Sequence, residues 1–185
     1  MTILVPLAVI LALAILWVLM FNTMVQRRNQ VQYAYAGIDA QLKKRFDLIP
    51  NLVATVKRYA EHEQKVLAEL TAIRSRALNG ITDPAELSRL DGQLASTLRS
   101  VFAIAENYPQ LRASEVFENL QRSLNETEEQ IAASRRAYNA AVTDYNNGCQ
   151  MFPLSIVAGR MGCSVMPWFE IPGEERVNPD VGRLL

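Results

Sequence analysis

Neighbouring histidine and carboxylate side chains are the first place to look for chemistry, and this chain has one such pair, His62-Glu63, in the segment Tyr59-Ala-Glu-His-Glu63. A zinc peptidase helix needs a second His three residues beyond the Glu, so that both imidazoles share one face. Val66 and Leu67 stand there instead. Asp47, Glu63, Glu106 and Glu128 are carboxylates that a helical bundle could gather for acid/base work or a two-metal site. The chain offers a single His to assist them, which favours a structural reading: Arg45 and Glu63, two charges on an otherwise apolar helix face, each find a partner on another helix. Glu128 and Arg135 are the partners expected. Arg45 and Glu63 cannot serve each other, because the helix between them spans about 27 Å. Tyr138, Asn139, Tyr145 and Asn146 recur at intervals of seven. That is the spacing of a core seam whose amides fix register, or else of a recognition face for a partner. Cys149 and Cys163 lack the spacing of a redox or zinc motif and are read as two free thiols or one disulfide. No catalytic residue, cofactor or metal is expected.

The elements that position these residues begin with an abrupt change of material. The chain has 185 residues with 19 Lys+Arg and 19 Asp+Glu, and every one of those charges lies at or beyond Arg27. A neutral balance argues against nucleic-acid binding, which draws on a surplus of cations. Ile3 to Phe21 is an uncharged apolar run whose helical length, about 28 Å, matches a hydrocarbon core about 30 Å thick. A cleaved signal peptide would carry a basic leader and a small-x-small site, and neither precedes Ile3 or falls at Met20-Phe21-Asn22-Thr23. The expected element is an uncleaved single-pass anchor. Arg27, Arg28, Lys43, Lys44 and Arg45 all follow the span, so the N-terminus should lie outside and the body in the cytoplasm, at a bacterial-type inner membrane. The expected organisation is an anchor over 1–26, a helical bundle over 27–162 and a Pro/Gly-punctuated tail over 163–185.

From Val31, the column Val31, Ile38, Arg45, Leu52, Tyr59, Val66, Ile73 and its partner Tyr35, Leu42, Ile49, Val56, Glu63, Leu70, Ala77 form a seam at coiled-coil spacing. Its phase holds through Pro50, which predicts one helix from the membrane to about Leu78, kinked at Pro50. The alternative is a new helix capped by Asp47. Asn79-Gly80 reads as a stop, and Asp83-Pro84-Ala85-Glu86 as the start of a second helix burying Leu87, Leu90, Leu94, Leu98, Val101 and Ala105. Pro109 should end it. A third helix from near Ser114 places Phe117, Leu124, Ile131, Tyr138, Tyr145 and Phe152 in one column. The partner column, Leu120, Thr127, Ser134, Ala141 and Gly148, is mostly small or polar and admits a close neighbour. Leu154 to Met161 suits a short helix, and an extended tail follows. The fold class is therefore all-α: an N-terminal transmembrane helix continuing into the long helix of an antiparallel three- to four-helix bundle, with a short extended C-terminal tail.

Five ordered motifs then carry a resemblance. Arg45-Phe-Asp47-Leu-Ile-Pro50-Asn51-Leu-Val53, Tyr59-Ala-Glu-His62-Glu63, Glu106-Asn-Tyr108-Pro109-Gln-Leu-Arg112, Arg135-Arg-Ala-Tyr138-Asn139 with Tyr145-Asn146, and Phe152-Pro153 resemble successive signatures of the LemA family, from about Phe21 to Phe169. The resemblance implies one N-terminal membrane helix followed by an antiparallel helical bundle. Tyr35 departs from it, standing where such sequences usually carry Trp, and Cys149 and Cys163 lie outside the pattern.

Geometry supplies the functional expectation. A first helix reaching Leu78 would extend about 80 Å beyond the membrane, and the second returns only about 36 Å. The third helix starts from the end of the second, so Val31, Tyr35, Ile38 and Leu42 are expected to be uncovered unless the tail folds back, and to form an oligomer interface. The function expected is a self-associating structural or scaffolding element at the membrane. The alternative is an accessory or regulatory subunit of a membrane protease or other membrane enzyme. The expected partners are the lipid bilayer and further copies of the chain, with another membrane protein as the alternative, and no nucleic acid.

Overall fold

The computed structural model describes residues 4–78 and 84–169. Among the described residues there are six helices and no strand: α1 (Leu4–Lys57), α2 (Gln64–Leu78), α3 (Pro84–Ala105), α4 (Pro109–Arg112), α5 (Glu115–Gln150) and α6 (Leu154–Arg160). The all-α architecture expected from the heptad columns is the one observed. These residues fall into two compact units, one formed by 4–38 with 133–168, the other by 39–78 and 84–132 with Phe169.

α1 begins as an apolar rod. Large side chains from Leu4 to Leu19 are exposed on all sides, with nothing among the described residues burying them, so this stretch is a candidate membrane anchor. The same helix passes Pro50, whose ring lies on its exposed face, without ending. The rival start at Asp47 is thereby excluded.

The helix does not reach Leu78, however. It ends at Lys57, where the Arg58 and Tyr59 amides donate to the Thr55 and Val56 carbonyls at 3.3 and 3.0 Å, a tightened last turn. α2 then starts beyond Glu63, whose carbonyl accepts the Leu67 amide at 3.4 Å. The heptad phase survives this break because residues on both sides pack inward: Leu52, Val56 and Ala60 before or within it, and Leu67, Leu70 and Ile73 after it, are buried. The expected stop at Asn79-Gly80 and the expected cap at Asp83 lie outside the described residues.

In the unit that contains them, α2 packs against α3. All six α3 positions expected to be buried are buried, and Thr97 Oγ1 donates to Glu69 Oε1 across the pair at 3.2 Å. α3 ends at Ala105. Pro109 does more than stop a helix, because it opens the single turn of α4 at a position where its missing N–H costs nothing. α5 starts one residue after Ser114, whose carbonyl accepts the Glu118 amide at 3.1 Å. Phe117, Leu124 and Ile131 are buried, and the Phe117 ring meets Phe102 edge-on at 6.1 Å between centroids.

The other unit pairs the stretch of α1 just past the apolar run with the C-terminal part of α5. Three contacts give the register: Met24 against Gly148, Arg27 Nη1 donating to the Asp144 carbonyl at 2.6 Å, and the Tyr35 and Tyr138 rings at 6.0 Å. As numbers rise along α1 they fall along α5, so the two run antiparallel. Gly148 permits the closest approach, since a Cβ there would lie 2.7 Å from Met24 Sδ. This is the close contact expected from the small-residue column. Phe152, the last member of the other column, falls beyond the helix end and is 81% exposed.

The expected uncovered seam is corrected here. Val31 and Ile38 are buried within this unit, Leu42 is buried within the other, and Tyr35 is half-buried against Tyr138. The reason is the length of α5: its 36 residues make about 54 Å of helix, and this helix returns beside the stretch of α1 that follows the apolar run.

Candidate functional site

The site residues expected from the sequence separate into a charge cluster and a tail clamp. Arg45 is buried on the inner face of α1, and its Nη1 lies 2.7 Å from Asp91 Oδ1 and 2.6 Å from Glu128 Oε2. Arg45 and Asp91 are almost wholly withdrawn from water, whereas Glu128 keeps 39% of its side-chain exposure. One cation between two carboxylates holds α1, α3 and α5 at a single point of the unit, a geometry that fixes register more surely than it adds stability. Glu128 is the partner expected for Arg45. Asp91 was missed, although it interrupts the apolar face of α3 between Leu87 and Leu94 at helical spacing, which was a readable signal.

Glu63, expected to pair with a charge, accepts a long hydrogen bond from the Tyr108 hydroxyl at 3.5 Å instead. Tyr108 is half-buried, while Pro109, Asp47, Asn51 and His62 are exposed, as is Glu106. Pro50 and Asn51 shape the surface of α1, and the Asn51 carbonyl accepts the Thr55 hydroxyl at 2.7 Å. Arg135 is buried and Asn139 is half-buried on α5. Among the described residues, no three His, Cys, Asp or Glu side chains gather at one point.

The clamp belongs to the unit that carries the apolar run. Asn146 is buried on α5, and its amide reads the backbone of the tail twice: Nδ2 donates to the Met166 carbonyl at 2.9 Å, and Oδ1 accepts the Met166 amide at 2.8 Å. Tyr138 adds a bond from its hydroxyl to the Pro167 carbonyl at 3.4 Å, and Trp168 Nε1 donates to Thr143 Oγ1 at 3.1 Å. A segment without helix or strand is thus fixed to α5 by side chains one and two helical turns apart. Of the Tyr and Asn column, Tyr138 and Asn146 are the members that bond the tail.

Near the clamp, Tyr145 is buried beside Cys149 and Cys163, which are unbridged. Burial, reinforced by the neighbouring Cys163 and Cys149 thiols, pushes the Tyr145 phenol well above its ordinary value, and burial alone lifts Tyr138. Burial likewise raises the Cys149 thiol, opposed by the neighbouring Tyr145 hydroxyl. All three groups therefore hold their protons at neutral pH.

A family model for the LemA family matches residues 34–182. The chain belongs to the LemA family. The matched stretch includes both Arg45 and the Asn146 clamp.

Among relatives, the protein LemA of Metamycoplasma hominis is 26% identical over 163 residues, covering 88% of this chain and 74% of its own length. The magnetosome protein MamQ 2 of Paramagnetospirillum magneticum is 22% identical over 175 residues, and MamQ of Magnetospirillum gryphiswaldense is 21% identical over 174. The chain spans 64% of the length of each of these two magnetosome proteins. None of these names states an enzymatic activity. Together with the candidate anchor, they make this a membrane-associated helical protein.

Proposed function

We propose that the chain is a self-associating structural element of a bacterial membrane, with its N-terminus outside and its helical body in the cytoplasm. The observation that carries this reading is α1 itself: one helix of 54 residues runs from the apolar stretch into the packed units without a linker. A body attached in this way is held at a set height and direction, which is what a scaffold requires and a tethered enzyme does not. The relatives named as magnetosome proteins suit a structural role of this kind.

Because the chain fills its own seam at Val31 and Ile38, self-association falls to the anchor, whose side chains are left exposed among the described residues. Ala8 and Ala12 lie one turn apart there, and small residues at that spacing let two membrane helices approach closely. Size analysis of the full-length protein in mild detergent tests the reading. A particle several times the 20.8 kDa monomer, reduced by Ala8→Ile with Ala12→Ile, is the expected outcome. A monomer that co-purifies in stoichiometric amount with an unrelated chain would favour the accessory-subunit reading instead.

A further inference from the structure

Beyond α1, the unit that carries the apolar run shows a second group of large exposed apolar side chains. Met151 and Phe152 follow the end of α5, Ile156 lies on α6, and Val165 and Trp168 belong to the clamped tail. Phe152 is 81% exposed and Trp168 57%. Side chains of this size left so exposed within one unit call for an apolar neighbour.

The antiparallel register says where the patch lies. Met24 faces Gly148 and Arg27 faces Asp144, so three or four residues further along α5 correspond to three or four residues back along α1. Met151 and Phe152 therefore stand level with Met20 and Phe21, the last residues of the apolar run. Trp168 is tied to Thr143, level with Arg27 and Arg28 and about 9 Å below Phe21. Large apolar groups at the edge of the hydrocarbon, with an indole one step further out, reproduce the order in which such side chains occur at a membrane boundary. An exposed cation, Arg28 on α1, stands at the level of Trp168, where lipid phosphates would be.

We infer that the turn from Met151 to Arg160 is a second membrane contact, entering the headgroup–acyl boundary of the leaflet from which α1 emerges. Its partner is phospholipid. The inference rests on α1 being a membrane anchor, and it adds that the unit next to the anchor is seated on the bilayer rather than suspended from one helix. The clamp at Asn146 then acquires a purpose, since it holds the tail and α6 at the height where the patch meets lipid.

Tryptophan fluorescence can test this with an internal control, because Trp17 and Trp168 are the two tryptophans of the chain. Full-length protein is reconstituted into phosphatidylcholine–phosphatidylglycerol vesicles containing lipid brominated near the headgroup end of its acyl chains. Two single-tryptophan forms are compared: Trp168→Phe, which reports from the anchor, and Trp17→Phe with Trp168→Phe and Phe152→Trp, which reports from the patch.

Both indoles should lose much of their intensity to the brominated lipid, the patch indole should emit to the blue of an indole in water, and adding Ile156→Ser should weaken its quenching without affecting Trp17. Quenching of Trp17 with none at the patch overturns the inference and leaves the anchor standing. In that case, access of the patch indole to aqueous iodide would show a bare surface, and protection from iodide would show that a protein neighbour covers it. Failure of Trp17 to be quenched would overturn the anchor reading and this one with it. A circular dichroism melt of each form confirms that the helices are intact.

Discussion

The unit around Arg45 and the unit around Asn146 hold their helices by different chemistry. In the first, a guanidinium withdrawn from water sits between Asp91 and Glu128, 2.7 and 2.6 Å away. In the second, a neutral amide meets the backbone of Met166 through two bonds of 2.9 and 2.8 Å, beside a helix contact so close that Gly148 has no room for a side chain. A charge cluster is unforgiving when one member is lost, because the survivors remain buried. A neutral clamp next to tight packing is sensitive to volume instead. The two units should therefore fail in different ways.

The largest effect is expected at Arg45. Arg45→Met strips Asp91 of its guanidinium and should cost about 3–5 kcal/mol in denaturant unfolding, and adding Asp91→Leu should restore a good part of that loss. A cost below about 1 kcal/mol would mean that the cluster behaves as a solvated surface pair, and the contrast between the units would collapse.

A smaller effect belongs to Gly148. Alanine improves helix propensity by about 0.5–1 kcal/mol, but its Cβ would press on Met24 Sδ, and overpacking of this kind costs about 1–3 kcal/mol. Gly148→Ala should thus destabilise the protein modestly in the native background and stabilise it when combined with Met24→Ala. Additive behaviour in that double-mutant cycle would show that the helices are not in contact there.

The smallest expected effect is electrostatic. Cys149 and Tyr145 have ordinary values of 9.0 and 10.0, and both are raised in the folded protein. The unfolded chain therefore releases these protons first as pH rises. Their contribution to stability is complete below about pH 9 and is lost progressively above it. Thermal melts from neutral to strongly alkaline pH should show this decline, and Tyr145→Phe should make it shallower. Arg45→Met should leave its slope unchanged.

Some of this architecture was legible in the residues because periodicity and side-chain size report directly on burial. The α3 face from Leu87 to Ala105, the seam from Phe117 to Tyr145, the short α6 and the close approach at Gly148 could all be read in that way. The break between α1 and α2 could not. Neither Gly nor Pro marks residues 58–63, and the apolar phase continues across them. Glu63 was the available sign, since a carboxylate in an apolar column can mark a helix start as well as an ion pair. The tail clamp was half legible: Asn146 announced a buried amide, but nothing in the local pattern around Met166 identified its counterpart, because a backbone partner leaves no trace in side-chain type. The covered seam was misread for a different reason. The length of α5 was evident from its columns, yet that helix was not taken to reach the membrane-near stretch of the first.

That point is also the centre of the account, which holds that Val31 and Ile38 are buried by their own chain rather than by a neighbour. Ile38→Ala, followed for both melting and particle size in detergent, tests it most directly. A loss of about 2–5 kcal/mol at unchanged particle size is the expected result, whereas an unmoved melting transition with a smaller particle would contradict it.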